Sequence, residues 1–92
     1  MTTGKPFEIA WSPSALRDLA RLPEKVATAV VEFVYGALAD NPRRVGHELR
    51  FELEGKYSAN RGDYRVVYGI DVKGRAVTIF AIVHRSKIYQ SR

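Results

Sequence analysis

The chain has 92 residues, 46 % of them apolar, and a formal net charge of +5 at pH 7. That length makes one domain, residues 1–92, with a modest core, and the composition excludes a disordered or low-complexity chain. The absence of cysteine excludes a disulfide framework and a thiolate metal site. The N-terminus lacks the apolar stretch of a secretory signal and no run approaches membrane-spanning length, so the expected location is the cytoplasm, with no membrane partner.

In chain order, Phe7, Ile9 and Trp11 alternate with polar or small residues and predict a first strand. Ser12-Pro13 predicts a helix start, with serine as the N-cap and proline at the first helical position. That helix carries Leu16, Leu19 and Ala20 on one side and Arg17, Asp18 and Arg21 on the other. Pro23 opens a second helix, where Val26, Val30, Phe33, Val34, Ala37 and Leu38 follow a period of 3.6 until Asn41-Pro42 ends it. Leu49, Phe51 and Leu53 have strand-like spacing, and Lys56 to Arg61 is a short polar strand. The Gly62-Asp63 pair turns it into a strand from Tyr64 to Ile70. There Tyr64, Val66, Tyr68 and Ile70 share one face, and Arg65, Val67 and Gly69 the other. A turn over 71–75 leads to the last strand, Ala76 to Val83, apolar on both faces as a central strand covered on both sides would be.

The order β-α-α-β-β-β predicts an α+β domain whose helix hairpin packs on one face of a largely antiparallel sheet. The expected core is Leu16, Leu19, Val30, Phe33, Val34, Tyr68, Ile79 and Phe80, or their neighbours. The other face of the sheet is then open for function. Charge is unevenly placed, with −1 over residues 1–42 and +6 over residues 43–92. A basic half attracts polyanions before any specific contact forms.

Phosphate-loop, dinucleotide-binding and zinc-protease motifs are absent, and His47 and His84 stand apart from any acidic cluster, so no metal or cofactor is expected. The second helix has only Lys25 as a basic residue, which argues against reading a major groove. The residues that carry chemistry are Lys56, Arg61, Arg65, His84, Arg85, Lys87 and Tyr89. Cleaving RNA without a metal needs a base for the ribose 2′-hydroxyl, cations for the extra charge on phosphorus, and an acid for the leaving 5′-oxygen. Arginine meets the second need directly, because guanidinium matches phosphate oxygens bidentately. The plainer alternative is that these cations are solvated on an exposed face. Residue chemistry alone therefore ends at a basic sheet face suited to RNA or to an acidic protein.

Tyr64-Arg65-Val66-Val67-Tyr68 after the Gly62-Asp63 turn, followed by His84-Arg85-Ser86-Lys87-Ile88-Tyr89, resembles the toxin half of RelE-type toxin–antitoxin pairs. The opening Ile9-Ala10-Trp11-Ser12-Pro13 and the helix through Leu22 resemble that family too. The resemblance implies a microbial RNase-like fold and a ribosome-dependent endoribonuclease that cuts mRNA in the decoding site. It also implies a RelB-like antitoxin, and a complex that binds operator DNA through the antitoxin.

Carried over residue by residue, the resemblance gives Arg65 to phosphate and transition-state stabilisation, Arg85 to the leaving group, and Tyr89 to stacking on the substrate base. The best-studied members have two lysines, one residue apart, on the strand before the Tyr-Arg motif, and one of them is the proposed base. Only Lys56 stands there in this chain, so the base is Lys56 or, second, His84, since an imidazole changes charge near neutrality. Arg61 is expected to supply the cationic field that a lysine base needs. Arg61, His84 and Lys87 are the expected RNA-binding residues. Two alternatives remain open: a ParE-like gyrase inhibitor of the same fold, and a degenerate domain that only binds its antitoxin.

Overall fold

A computed structural model describes residues 5–49 and 55–86. The expected strand positions Phe51 and Leu53, together with Lys87 and Tyr89, lie outside those residues.

Strand β1 (Glu8–Trp11) leads through Ser12 into helix α1 (Pro13–Ala20), and α2 (Glu24–Phe33) follows. The start of α1 is as the sequence predicts: the Ser12 hydroxyl accepts from the Ala15 N–H at 3.0 Å, with Pro13 at the first helical position. The remaining strands are β2 (His47–Glu48), β3 (Lys56–Arg61), β4 (Tyr64–Asp71) and β5 (Ala76–His84). They form one five-stranded sheet in the order β1-β5-β4-β3-β2. β1 runs parallel to β5 and every other pair is antiparallel. The β3–β4 turn has a positive φ of 62° at Gly62 only, the pattern of a II′ hairpin.

One sheet face carries the helices and the core. Val30, Val34 and Leu38 pack on Ala59, Val66, Tyr68, Val77, Ile79 and Ile82. Tyr68 is fully buried, its ring stacked on Tyr57 at 5.7 Å and its hydroxyl donating to the Pro42 carbonyl at 2.6 Å. The alternation of β4 is as expected, with Val66 and Tyr68 inward.

Several expectations need correction. The period of 3.6 does not continue to Leu38, because Val34–Leu38 winds as a π-turn. In an α-helix a residue and the fourth after it drift by about 40° around the axis. The wider π-turn reverses that drift, so Val30, Val34 and Leu38 all reach the sheet while Ala37 stays exposed. Helix α1 is rotated from the expected stripe: Leu16 is 50 % exposed and Ala15 is buried. Asp18, expected on the solvent side, faces the sheet and accepts the Ile82 N–H at 3.0 Å. The reason is the edge of β5. β1 pairs with it only from Ala76 to Ile79, and α1 takes over beyond, where the Ser12 hydroxyl donates to the Phe80 carbonyl at 3.1 Å. Phe33 is half-buried at the margin of the core.

Phe80 is not in the core. The β4–β5 register shifts between Val67 and Tyr68, pairing Val67 with Ala81 but Tyr68 with Ile79, so Phe80 is the extra residue of a bulge. The bulge puts Phe80 and Ala81 consecutively on the outer face and returns Ile82 to the core. Nor is β5 covered on both sides: Thr78, Phe80, Ala81 and Val83 are only half-buried.

Candidate nucleic-acid interface

The sheet face opposite the helices is uncovered among the described residues, and side-chain alternation assigns its occupants. From the three inner strands they include Lys56, Ser58 and Asn60 of β3; Arg65, Val67, Gly69 and Asp71 of β4; and Thr78, Phe80, Ala81 and Val83 of β5, with His47 of β2 beside Ser58 and Glu8 of β1 at the far edge. Arg65 stands mid-sheet, half-buried, between Asn60 and Val83. A cation held this way presents its charge to one side only, and its flanking strands limit its rotamers.

Arg85 follows directly on β5. Its backbone N–H bonds the Asp63 carbonyl at 2.8 Å, which extends the ladder one rung past the Tyr64–His84 pair. That rung is diagonal to Arg65, and diagonal neighbours stand about 7–8 Å apart. The Arg85 guanidinium lies 3.8 Å from the Asp63 carboxylate with both side chains about two-thirds exposed, a pairing too solvated to hold it firmly.

Lys56 shares the open face but pairs with Gly69, four residues along β4 from Arg65. At about 3.3 Å per residue this is about 13 Å. Its ammonium sits 4.9 Å from the centre of the Phe80 ring. Phe80 in turn lies against Gly69, where a β-carbon would come within 2.9 Å of the ring. Lys56, Gly69, Phe80, Thr78 and Asp71 border a shallow groove of about 280 Å³.

The other expected site residues are not on this face. His84 packs edge-on against Tyr64 at 4.9 Å on the helix side, and its Nδ1 accepts the Ser86 N–H at 3.1 Å. An acceptor at Nδ1 leaves the ring proton on Nε2. Arg61 pairs with Tyr64 on that same side and borders a 310 Å³ hollow with Val26, Ala29 and Val30 of α2. A second hollow of about 370 Å³, with His84, Asp18 and Arg21, shares Tyr64 with the first. Strand alternation therefore puts Arg65 and Lys56 on the open face about 13 Å apart, with Arg85 just past the end of β5, and puts Arg61 and His84 on the helix side. In particular Arg61 points away from Lys56 and cannot supply its expected field. Phe80 escapes the sequence because a run apolar on both faces does not mark which of them is covered. Among the described residues, no three His, Asp or Glu side chains gather as metal ligands would.

The fold recurs in known proteins. The family model described as "ParE toxin of type II toxin-antitoxin system, parDE" matches residues 9–89. The chain belongs to that toxin family. Within it, the chain is 52 % identical over 90 residues to Toxin RelE of Mycobacterium tuberculosis, covering 98 % of this chain and 93 % of the relative. It is 45 % identical over 85 residues to Toxin RelG of the same organism, covering 92 % and 98 %. Among solved structures, the toxin–antitoxin complex RelBE2 from M. tuberculosis contains a chain that superposes with a TM-score of 0.85 at 44 % identity, covering 88 % of this chain and 93 % of that one. The intact Escherichia coli RelBE complex gives 0.73 at 18 % identity over 85 % and 95 %, a likeness of fold alone. The protein is thus a RelE-like toxin of a type II toxin–antitoxin system, with the α+β fold of RelE toxins. No helix among the described residues is long and apolar enough to cross a membrane.

Proposed function

We propose that this toxin is an endoribonuclease that cuts mRNA on the ribosome and so stops translation in the cytoplasm. The observation that carries this reading is Arg65, a half-buried arginine near the start of the central strand β4, on a sheet face that no described element covers. The identity to Toxin RelE supports the same reading. Arg65 holds the scissile phosphate and its growing negative charge, where a preorganised cation acts without reorganising. Arg85, one rung beyond and diagonal to it, assists the leaving 5′-oxygen. Lys56 is the one amine on that face among the described residues and acts as the base, reaching the 2′-hydroxyl of a nucleotide lying between itself and Arg65. Tyr89 stacks on the substrate base, and Lys87 lends charge to the same surface. The reaction needs no metal, because cations of the chain balance the charge.

The partner is a RelB-like antitoxin, as in the RelBE2 complex that the toxin chain resembles, and the pair binds operator DNA through the antitoxin. The helix-side hollows around Tyr64 suit its docking: Val26, Ala29 and Val30 give the first an apolar wall, the second is more polar, and Arg21, Lys25 and Arg61 outnumber the carboxylates Asp18 and Asp63 in their linings. A segment bearing both apolar and acidic residues complements them.

Mapping the ends of mRNA after incubation with ribosomes, with and without a chelator, tests the proposal. Cuts within the decoding site that survive chelation are expected. Inhibited DNA supercoiling by gyrase, with mRNA intact, would replace this reading with the gyrase-directed one.

A further inference from the structure

On β5, Phe80 presents a ring to the open face without an evident structural task. It contributes nothing to the core on the helix side and faces outward by alternation from the inward Ile79, with the bulge setting Ala81 beside it on the same face. Gly69 across from it carries no side chain, so the ring lies down against β4, and any β-carbon at that position would meet the ring. Among the described residues, the one group over the ring is the Lys56 ammonium, at 4.9 Å, on a half-exposed side chain. Among the described residues, the groove beside it holds one carboxylate, Asp71. It is committed to the β4–β5 turn, where its Oδ1 accepts the Gly74 N–H at 3.1 Å.

A flat ring on an uncovered sheet, with a mobile cation above it and a second cation about 13 Å along the same face, has the elements of a single-strand RNA track. We infer that Phe80 is a stacking platform for an RNA base, which takes the place of the Lys56 ammonium over the ring. The occupant is single-stranded RNA, because an acidic peptide offers charge for Lys56 but no flat face for the ring. Stacking by the base frees Lys56 to turn toward the ribose and phosphate of the same strand. Phe80 is then a positioning residue: it fixes one nucleotide and, by displacing Lys56, directs the amine toward the backbone that Arg65 holds. This inference rests on the endoribonuclease reading for its ligand but makes a separate claim.

The test uses the full chain, a labelled short oligoadenylate at low salt, and polyphosphate as an anion without bases. Phe80→Leu keeps apolar contact with Gly69 but removes the π face, and should weaken oligoadenylate binding roughly ten- to hundredfold. Phe80→Tyr should bind like the parent, and polyphosphate binding should be the same for all three. Unchanged RNA affinity in Phe80→Leu, an equal loss for polyphosphate, or no RNA binding by the parent would overturn the inference. Should Phe80→Leu fail to fold, the Phe80 ring protons of the parent must shift when oligoadenylate is added, and an unmoved resonance would overturn it as well. Ribosome-bound mRNA left intact by a parent that still binds RNA through Phe80 removes the endoribonuclease reading and leaves this one standing. Cleavage with Phe80-independent binding does the reverse.

Discussion

The Tyr68 hydroxyl donates to the Pro42 carbonyl at 2.6 Å across 26 residues of chain, inside the core. The bond ties the end of the helical hairpin to mid-sheet, and it satisfies a carbonyl that burial would otherwise leave without water. Burial, with a smaller effect from Tyr57 beside it, pushes the Tyr68 pKa up to about 12 from its usual 10.0. The folded state therefore keeps this proton at pH values where the unfolded chain has lost it. Stability is fully present below about pH 10 and is lost as pH rises toward about 12. Tyr68→Phe should flatten that alkaline limb in denaturant titrations. It should also cost about 1–3 kcal/mol at neutral pH, because the Pro42 carbonyl loses its donor.

Gly46 sits under the same bond. A β-carbon there would lie 2.8 Å from the Ser58 carbonyl oxygen and collide with the Tyr68 hydroxyl. Gly46→Ala should destabilise the fold by about 1–3 kcal/mol, read from the urea midpoint. In the Tyr68→Phe background the penalty should shrink, since one of the two clashing groups is gone.

Asp18 gives a third expectation. Asp18→Ala strands the Ile82 N–H on a buried stretch of β5 and should cost about 1–3 kcal/mol. Asp18→Asn, which can still accept, should cost less. Equal midpoints for the parent and Asp18→Ala would mean that water replaces the carboxylate.

Arg65→Ala should lower the cleavage rate of ribosome-bound mRNA by about a hundred- to thousandfold. Arg85→Ala should cost at least as much if it assists the leaving oxygen. Both are open-face substitutions, so thermal unfolding should shift by no more than about 0.5 kcal/mol. Full activity in either variant would remove that residue from the mechanism.

The antitoxin complex should weaken as salt rises, because Arg21, Lys25 and Arg61 rim the helix-side hollows. Arg61→Gln should reduce that salt dependence while leaving mRNA cleavage by the free toxin unchanged in its dependence on Arg65. Titrations at several ionic strengths would measure it.

Much of this architecture is written locally in the chain. Ser12-Pro13 announces a helix start, Gly62-Asp63 a hairpin, and the alternation from Tyr64 to Ile70 assigns Arg65 to the outer face by parity alone. What escaped depends on partners distant in sequence. Asp18 turns inward only because β1 ends at Trp11 and leaves the Ile82 N–H, 64 residues away, without a β1 carbonyl to bond. Ile82 returns to the core only because the β4–β5 register slips, and an apolar run looks the same with or without a bulge. The separation of Arg61 and His84 from Lys56 and Arg65 needs strand pairing as well as parity.

The parallel pairing of β1 with β5 bears on when a nascent chain can become harmful. Glu8 pairs with Ala76, so the first strand made must wait for the last before it has a neighbour in the sheet. Contacts so distant in sequence form late and slowly. β4, which carries Arg65, also lacks one of its two flanking strands until β5 arrives. A partly synthesised chain therefore cannot hold Arg65 and Arg85 in their relation, and under the proposed activity the nascent toxin stays harmless until nearly the whole sequence has emerged.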